Sequence, residues 1–160
     1  MDLGKTRRLA DLGRAHLDYQ RKFTPAMEDY LEVIFELIKV KGYARVVEIS
    51  NHLNVKSSTV TGMIKRLDKK RLLIHERYRG ITLTKKGEVL AKSITERHGI
   101  LVEFLRLLGV EETTAHKNVE GIEHYLDTVA VMRLASMVKL FREKPEWYQE
   151  YRKYSDSAMS

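Results

Sequence analysis

No cysteine occurs anywhere in the 160 residues. Disulfide frameworks, zinc ribbons, iron–sulfur clusters and thiol catalysis are therefore excluded, and any metal must be held by oxygen and imidazole. Long apolar runs are also missing: none approaches the roughly 18 residues that a membrane-spanning helix needs. The N-terminus lacks the apolar centre of a signal peptide, which makes a cytoplasmic protein the expectation. There is no His-Glu-x-x-His zinc motif, no serine elbow and no Gly-rich phosphate loop. Internal repeats and low-complexity tracts are absent as well.

What is present is an ordinary apolar fraction, 43%, enough for one domain or two small ones, and a lopsided charge. Residues 1–90 hold 19 Lys and Arg against 11 Asp and Glu, whereas residues 91–160 hold 10 against 11. A pI near 9.5 concentrated in the first half points to a polyanionic partner. Nucleic acid ranks ahead of a membrane surface, because no helical segment pairs a basic face with a Trp- or Phe-rich one.

Residues 1–23 read as a loosely ordered basic arm, either reaching into a DNA groove or disordered. Thr24 then offers an N-cap and Pro25 a first helical position, where the missing N–H has no partner to lose. Tyr30, Ile34, Leu37 and Ile38 follow at helical spacing, and Gly42 is placed to end a helix of about 16 residues. Asp29 and Glu32 share a face of it. Val47, Ile49 and Leu53 mark a short helix, Asn54-Val55 a turn, and Ser57 or Ser58 the cap of a second helix with Val60, Met63 or Ile64, and Leu67 inward. That is a helix-turn-helix. Two short apolar runs, Leu72–Ile74 and Ile81–Thr84, flank a turn at Tyr78-Arg79-Gly80 and read as a wing. Residues 56–86 carry ten Lys and Arg against Asp68 and Glu76, a surface suited to phosphates.

The second half is helical. A long helix begins at Lys86-Gly87-Glu88, carries His98 at its middle and ends near Leu108-Gly109. Thr113-Thr114 would cap the next helix, and Val129–Phe141 is a strongly apolar final one. Trp147–Ser160 reads as a frayed, Tyr-rich tail. Between them lies Glu120-Gly121-Ile122-Glu123-His124. If this run is helical, two carboxylates and an imidazole at i, i+3 and i+4 converge on one point, which is half of a metal site. His16, His52, His75 and His116 carry no such pattern and read as arm, surface or capping residues.

Five separated stretches resemble one family: Met27–Glu32, Lys41–Val46, Arg77–Gly80, Arg97-His98 and Val119–His124. Together with the order of elements, they make residues 25–143 similar to the diphtheria toxin repressor family, the iron-dependent repressors, and within it to the manganese-responsive branch. The resemblance implies a mainly α protein: a winged helix-turn-helix domain over 24–90 and a helical metal-binding and dimerisation domain over 91–146, followed by a 147–160 tail. It implies a homodimeric transcriptional repressor of metal-uptake genes that binds a pseudo-palindromic operator in double-stranded DNA when loaded with metal. The implied ligands are Asp29, Glu32, His98, Glu120, Glu123 and His124. In iron-responsive relatives the positions of Asp29 and Glu120 tend to carry sulfur ligands, so carboxylates at both point to Mn²⁺, two ions per subunit, with Fe²⁺ or another divalent metal as alternatives. The family's DNA contacts fall on Ser57, Ser58, Thr61 and Gly62 for bases and on Lys65, Arg66 and Arg79 for phosphates. Gly62 departs from the pattern, since glycine cannot read a base edge. No membrane and no organic small-molecule substrate is implied. The rival readings are a winged-helix regulator sensing iron or a non-metal signal, and a metal-dependent phosphoester hydrolase.

Overall fold

The computed structural model describes residues 23–158; the expected arm therefore lies, apart from Phe23, outside the described residues. The chain divides into two compact units between Glu96 and Arg97.

In the first unit, helix α1 (Pro25–Lys41) starts as its sequence predicts. Thr24 is the N-cap and its hydroxyl accepts a hydrogen bond from the Met27 N–H at 3.3 Å. Gly42, at φ 85°, terminates the helix in the left-handed conformation with its N–H donating to the Ile38 carbonyl. Leu31 and Ile34 are fully buried, and each such side chain stabilises the fold by roughly 1.5–3 kcal/mol relative to exposure. Helix α2 (Val46–Leu53) follows, and Asn54, at φ 52°, turns the chain into α3 (Ser57–Lys69). The Ser50 hydroxyl donates to the Val55 carbonyl at 2.6 Å across that turn. Val60, Met63, Ile64 and Leu67 are all buried, so the four apolar positions of α3 make one stripe against α1 and α2. The cap of α3 is Lys56, without a side-chain hydrogen bond, and neither serine takes that role. The Ser57 hydroxyl instead reaches the Ser50 hydroxyl at 3.4 Å.

Strands β1 (Leu73–Glu76) and β2 (Gly80–Leu83) pair antiparallel with Leu73 opposite Leu83 and Glu76 opposite Gly80. Ala44 adds a one-residue bridge to Ile81, donating at 2.9 Å and accepting at 2.8 Å, and so ties the chain after α1 to the wing. At the start of α4 (Lys85–Leu107), Gly87 is packed so closely that a Cβ would stand 1.8 Å from the Leu72 carbonyl oxygen. Only a glycine permits that approach.

The second unit is built from the remainder of α4, α5 (Glu112–Ile122), α6 (Thr128–Glu143) and α7 (Pro145–Ala158). Leu101, Val102, Ala115 and Val119 form its core, with Leu105, Val110, Leu126 and Leu134 packed around them. Glu111 caps α5, its carboxylate accepting from the Thr114 N–H at 2.9 Å. Thr113-Thr114 is thus the donor side of the cap, and a charged acceptor outcompetes a hydroxyl there. Asp127 caps α6 through the Ala130 N–H at 2.7 Å. The expected frayed tail is corrected to helix α7: Pro145 supplies its first residue, and Phe141 packs on Tyr148 and Tyr151 with ring centroids 5.6 Å apart in both cases. Aromatic contacts of this kind hold a helix that charge composition alone would leave loose.

Candidate metal centre

Glu123 sets the chemistry of the second unit. Its residue is only 4% exposed, and a buried carboxylate needs partners to offset its lost hydration. His98 supplies a hydrogen bond, and the His124 ring stands at the outer limit of an ion pair. Nδ1 of His98, on α4, stands 3.1 Å from Oε2 of Glu123. Nε2 of His124 stands 4.0 Å from Oε1, the other oxygen of the same carboxylate. Side-chain exposure is 17% at His98 and 13% at His124, so the three groups form a half-buried cluster of one carboxylate and two ring nitrogens.

Local structure explains the convergence. Helix α5 ends at Ile122, so the run from Glu120 to His124 is not helical throughout. Glu123 is the C-cap, still helical at φ −60° and ψ −31°, with its N–H donating to the Val119 carbonyl. His124 follows in the turn. Val119, buried in the core, fixes the last turn of α5. Glu120 remains exposed on that helix.

The residues the sequence singles out thus fall into groups. His98, Glu123 and His124 come together. Asp29 and Glu32 lie on α1 in the first unit, Asp29 exposed and Glu32 half-buried, next to a Glu28 that is itself buried at 4% exposure. His116, read from sequence as a surface or capping histidine, is indeed exposed, and its Nδ1 stands 3.2 Å from Nε2 of His98, a pairing the sequence reading did not include.

The cluster fits a divalent cation on the chemistry of its donors. Carboxylate oxygen and neutral imidazole are the ligands that manganese, iron and zinc share, and the chain has no cysteine to compete.

In the first unit, α3 turns its polar side outward. Ser57, Ser58, Gly62, Lys65 and Arg66 are exposed. Thr61 is half-buried and its hydroxyl donates to the Ser57 carbonyl at 2.9 Å, which occupies that hydrogen within the helix. Arg79 stands at the wing tip with a side chain 84% exposed, 3.5 Å from Glu76, beside a Tyr78 that is 91% exposed.

Comparison with known proteins decides the family. Residues 22–81 match the iron dependent repressor N-terminal DNA binding domain, and residues 84–150 match the iron dependent repressor metal binding and dimerisation domain. The chain belongs to the iron-dependent repressor family. It is a metal-responsive, DNA-binding transcriptional regulator and not an enzyme. The HTH-type transcriptional regulator MntR of Lysinibacillus sphaericus is 48% identical over 123 residues, 77% of this chain and 88% of that protein. The manganese regulator SloR matches with a TM-score of 0.64 and 31% identity over 73% of this chain and 55% of that one. A structure of ScaR with bound Zn²⁺ matches with a TM-score of 0.61 and 30% identity, over 71% and 53%. The chain therefore spans about half the length of these solved family members. Its family domains give it DNA, a divalent metal and a second copy of itself as partners. No helix among the described residues is long and apolar enough to cross a membrane.

Proposed function

We propose that this repressor is manganese-responsive and cytoplasmic, represses metal-uptake genes, and binds a pseudo-palindromic operator as a metal-loaded homodimer. The single observation that carries the reading is the buried Glu123 carboxylate shared by His98 and His124. Asp29, Glu32 and Glu120 complete a proposed set of six ligands without sulfur, and four carboxylates with two imidazoles are enough for two bridged ions per subunit. The resemblance to MntR and to the manganese regulator SloR supports the same metal.

When bound, the metal supplies positive charge that offsets the mutual repulsion of these carboxylates. The protein residues do the rest. Asp29 and Glu32 ride on α1, which packs on α2 and α3, so a restraint on α1 reaches the helix that presents Ser57, Ser58, Thr61 and Gly62 to bases and Lys65 and Arg66 to phosphate, with Arg79 joining from the wing. His98, Glu120, Glu123 and His124 hold the ligand set of the other domain. An effector that favours one arrangement of the recognition helices shifts the DNA equilibrium by its difference in affinity between arrangements.

The deciding test is a gel shift on the chain's own upstream DNA with Mn²⁺, Fe²⁺, Zn²⁺ and chelator. Mn²⁺ should tighten binding and chelator release it. Equal binding in all four conditions would refute metal control, and tightening by Zn²⁺ or Fe²⁺ alone would refute manganese.

A further inference from the structure

We infer that His116 is a positioning residue for His98: it holds the Nε2 edge of that ring, so that Nδ1 is the nitrogen offered on the Glu123 side. The inference rests on the proposed role of His98 as a metal ligand. Both nitrogens of His98 are accounted for within one unit, Nδ1 at 3.1 Å from the Glu123 carboxylate and Nε2 at 3.2 Å from Nδ1 of His116. The two rings are 5.4 Å apart between centroids and inclined by 32°, so the contact is between nitrogen edges and not a stack.

The backbone fixes this arrangement. Leu101 and Val102, three and four residues after His98, pack in one core with Ala115 and Val119, which neighbour His116 along α5. These four buried side chains hold the two helices at the separation that the two imidazoles bridge. A neutral imidazole has one N–H and one lone pair. If His98 gives the Nδ1 lone pair to a cation, its proton is on Nε2 and needs an acceptor, and a ligating histidine is ordinarily oriented and made more basic by such a bond. Nδ1 of His116, 3.2 Å from Nε2, is placed to be that acceptor once a cation takes Nδ1 of His98. His116 then carries its own proton on Nε2, and as an exposed residue it can donate that proton to water. The second imidazole thus holds the rotamer of the first and stabilises the tautomer that leaves its Nδ1 lone pair to a cation.

The test compares wild type, His116→Ala, His116→Asn and His98→Ala. Mn²⁺ affinity and stoichiometry are measured by competition with a chromophoric chelator, and the His98 ring N–H by ¹⁵N-resolved spectra of the Zn²⁺-loaded protein. His116→Ala should weaken Mn²⁺ about 10–100-fold at unchanged stoichiometry and expose the Nε2–H of His98 to rapid exchange. His116→Asn, whose Oδ1 can accept the same bond, should recover most of both. Unchanged affinity and an unchanged Nε2–H in His116→Ala would overturn the inference, as would the loss of a bound ion, which would make His116 a ligand. If His98→Ala itself leaves Mn²⁺ affinity intact, the ligand reading falls; if only His98→Ala weakens it, the role of His116 alone falls.

Discussion

Nδ1 of His98 and Oε2 of Glu123 lie 3.1 Å apart although 25 positions separate them in the chain. The pair joins the long α4 to the end of α5, and its carboxylate is the most buried acidic group among the described residues of the second unit. Glu123→Gln preserves shape and removes the charge that a cation needs. The Mn²⁺ concentration for half-maximal DNA binding is expected to rise at least about tenfold, while the circular dichroism spectrum in chelator stays unchanged. A gel-shift titration with equal midpoints for variant and wild type would count against Glu123 as a ligand.

A second expectation concerns acid. Glu48 bonds the Lys41 ammonium and accepts from the Arg45 N–H at 2.9 Å, the N3 half of a capping box; Arg45 has no side-chain acceptor to complete the other half. The Lys41 hydrogen bond foremost holds the Glu48 carboxyl below the usual carboxylate range. A depressed folded value means stability that is present above the unfolded value, about 4.3, and is lost as pH falls through the folded one. Glu48→Gln should therefore melt earlier than wild type at neutral pH, by at most about 1 kcal/mol for so exposed a pair. The difference should close on acidification below about pH 4, and a gap that widened instead would contradict the assignment.

Gly87→Ala would drive a methyl group into the Leu72 carbonyl. Backbone must shift to admit it, at a cost of about 3 kcal/mol, and urea melts should show the loss as an earlier midpoint. A midpoint equal to that of wild type would mean that the close approach is not maintained in solution.

Gly62→Ala is expected to do the opposite. A Cβ at Gly62 meets nothing within 4 Å, so α3 should gain about 0.5–1 kcal/mol from helix propensity. Gly62→Gln adds an amide able to pair with adenine and should change operator preference with little change in stability. Selection of bound sequences from a randomised pool would reveal it, and an unchanged consensus would remove position 62 from the base-reading surface.

Lys65 tests the phosphate contacts. Lys65→Ala should weaken binding to all sequences alike and reduce the slope of log affinity against log salt by about one. A loss confined to one operator would mean that Lys65 reads bases.

How much of this was legible depended on whether the signal was local. Thr24, Pro25 and Gly42 punctuate α1 by their own backbone chemistry, and the structure follows them to the residue. The stripe of α3 appeared in its spacing, although Met63 and Ile64 are both inward where one sufficed for the pattern. Signals that required a competitor to be ranked failed. Glu111 takes the cap that Thr113-Thr114 seemed to offer, and Lys56 precedes Ser57. The helix of Pro145–Ala158 depends on Phe141 meeting Tyr148 and Tyr151, a tertiary contact that composition does not encode. His116 was hidden for the same reason: its partner is 18 residues away on another helix.

The contact between Gly87 and the Leu72 backbone has a practical consequence for measuring motion. The boundary between the two units falls within α4, after Glu96, and the first turns of that helix are seated against the base of the wing. Lys92 is exposed on this stretch. A spin label at Lys92 would therefore serve as a fiducial for the winged unit, against which a second label beyond Arg97 could be timed when metal is added.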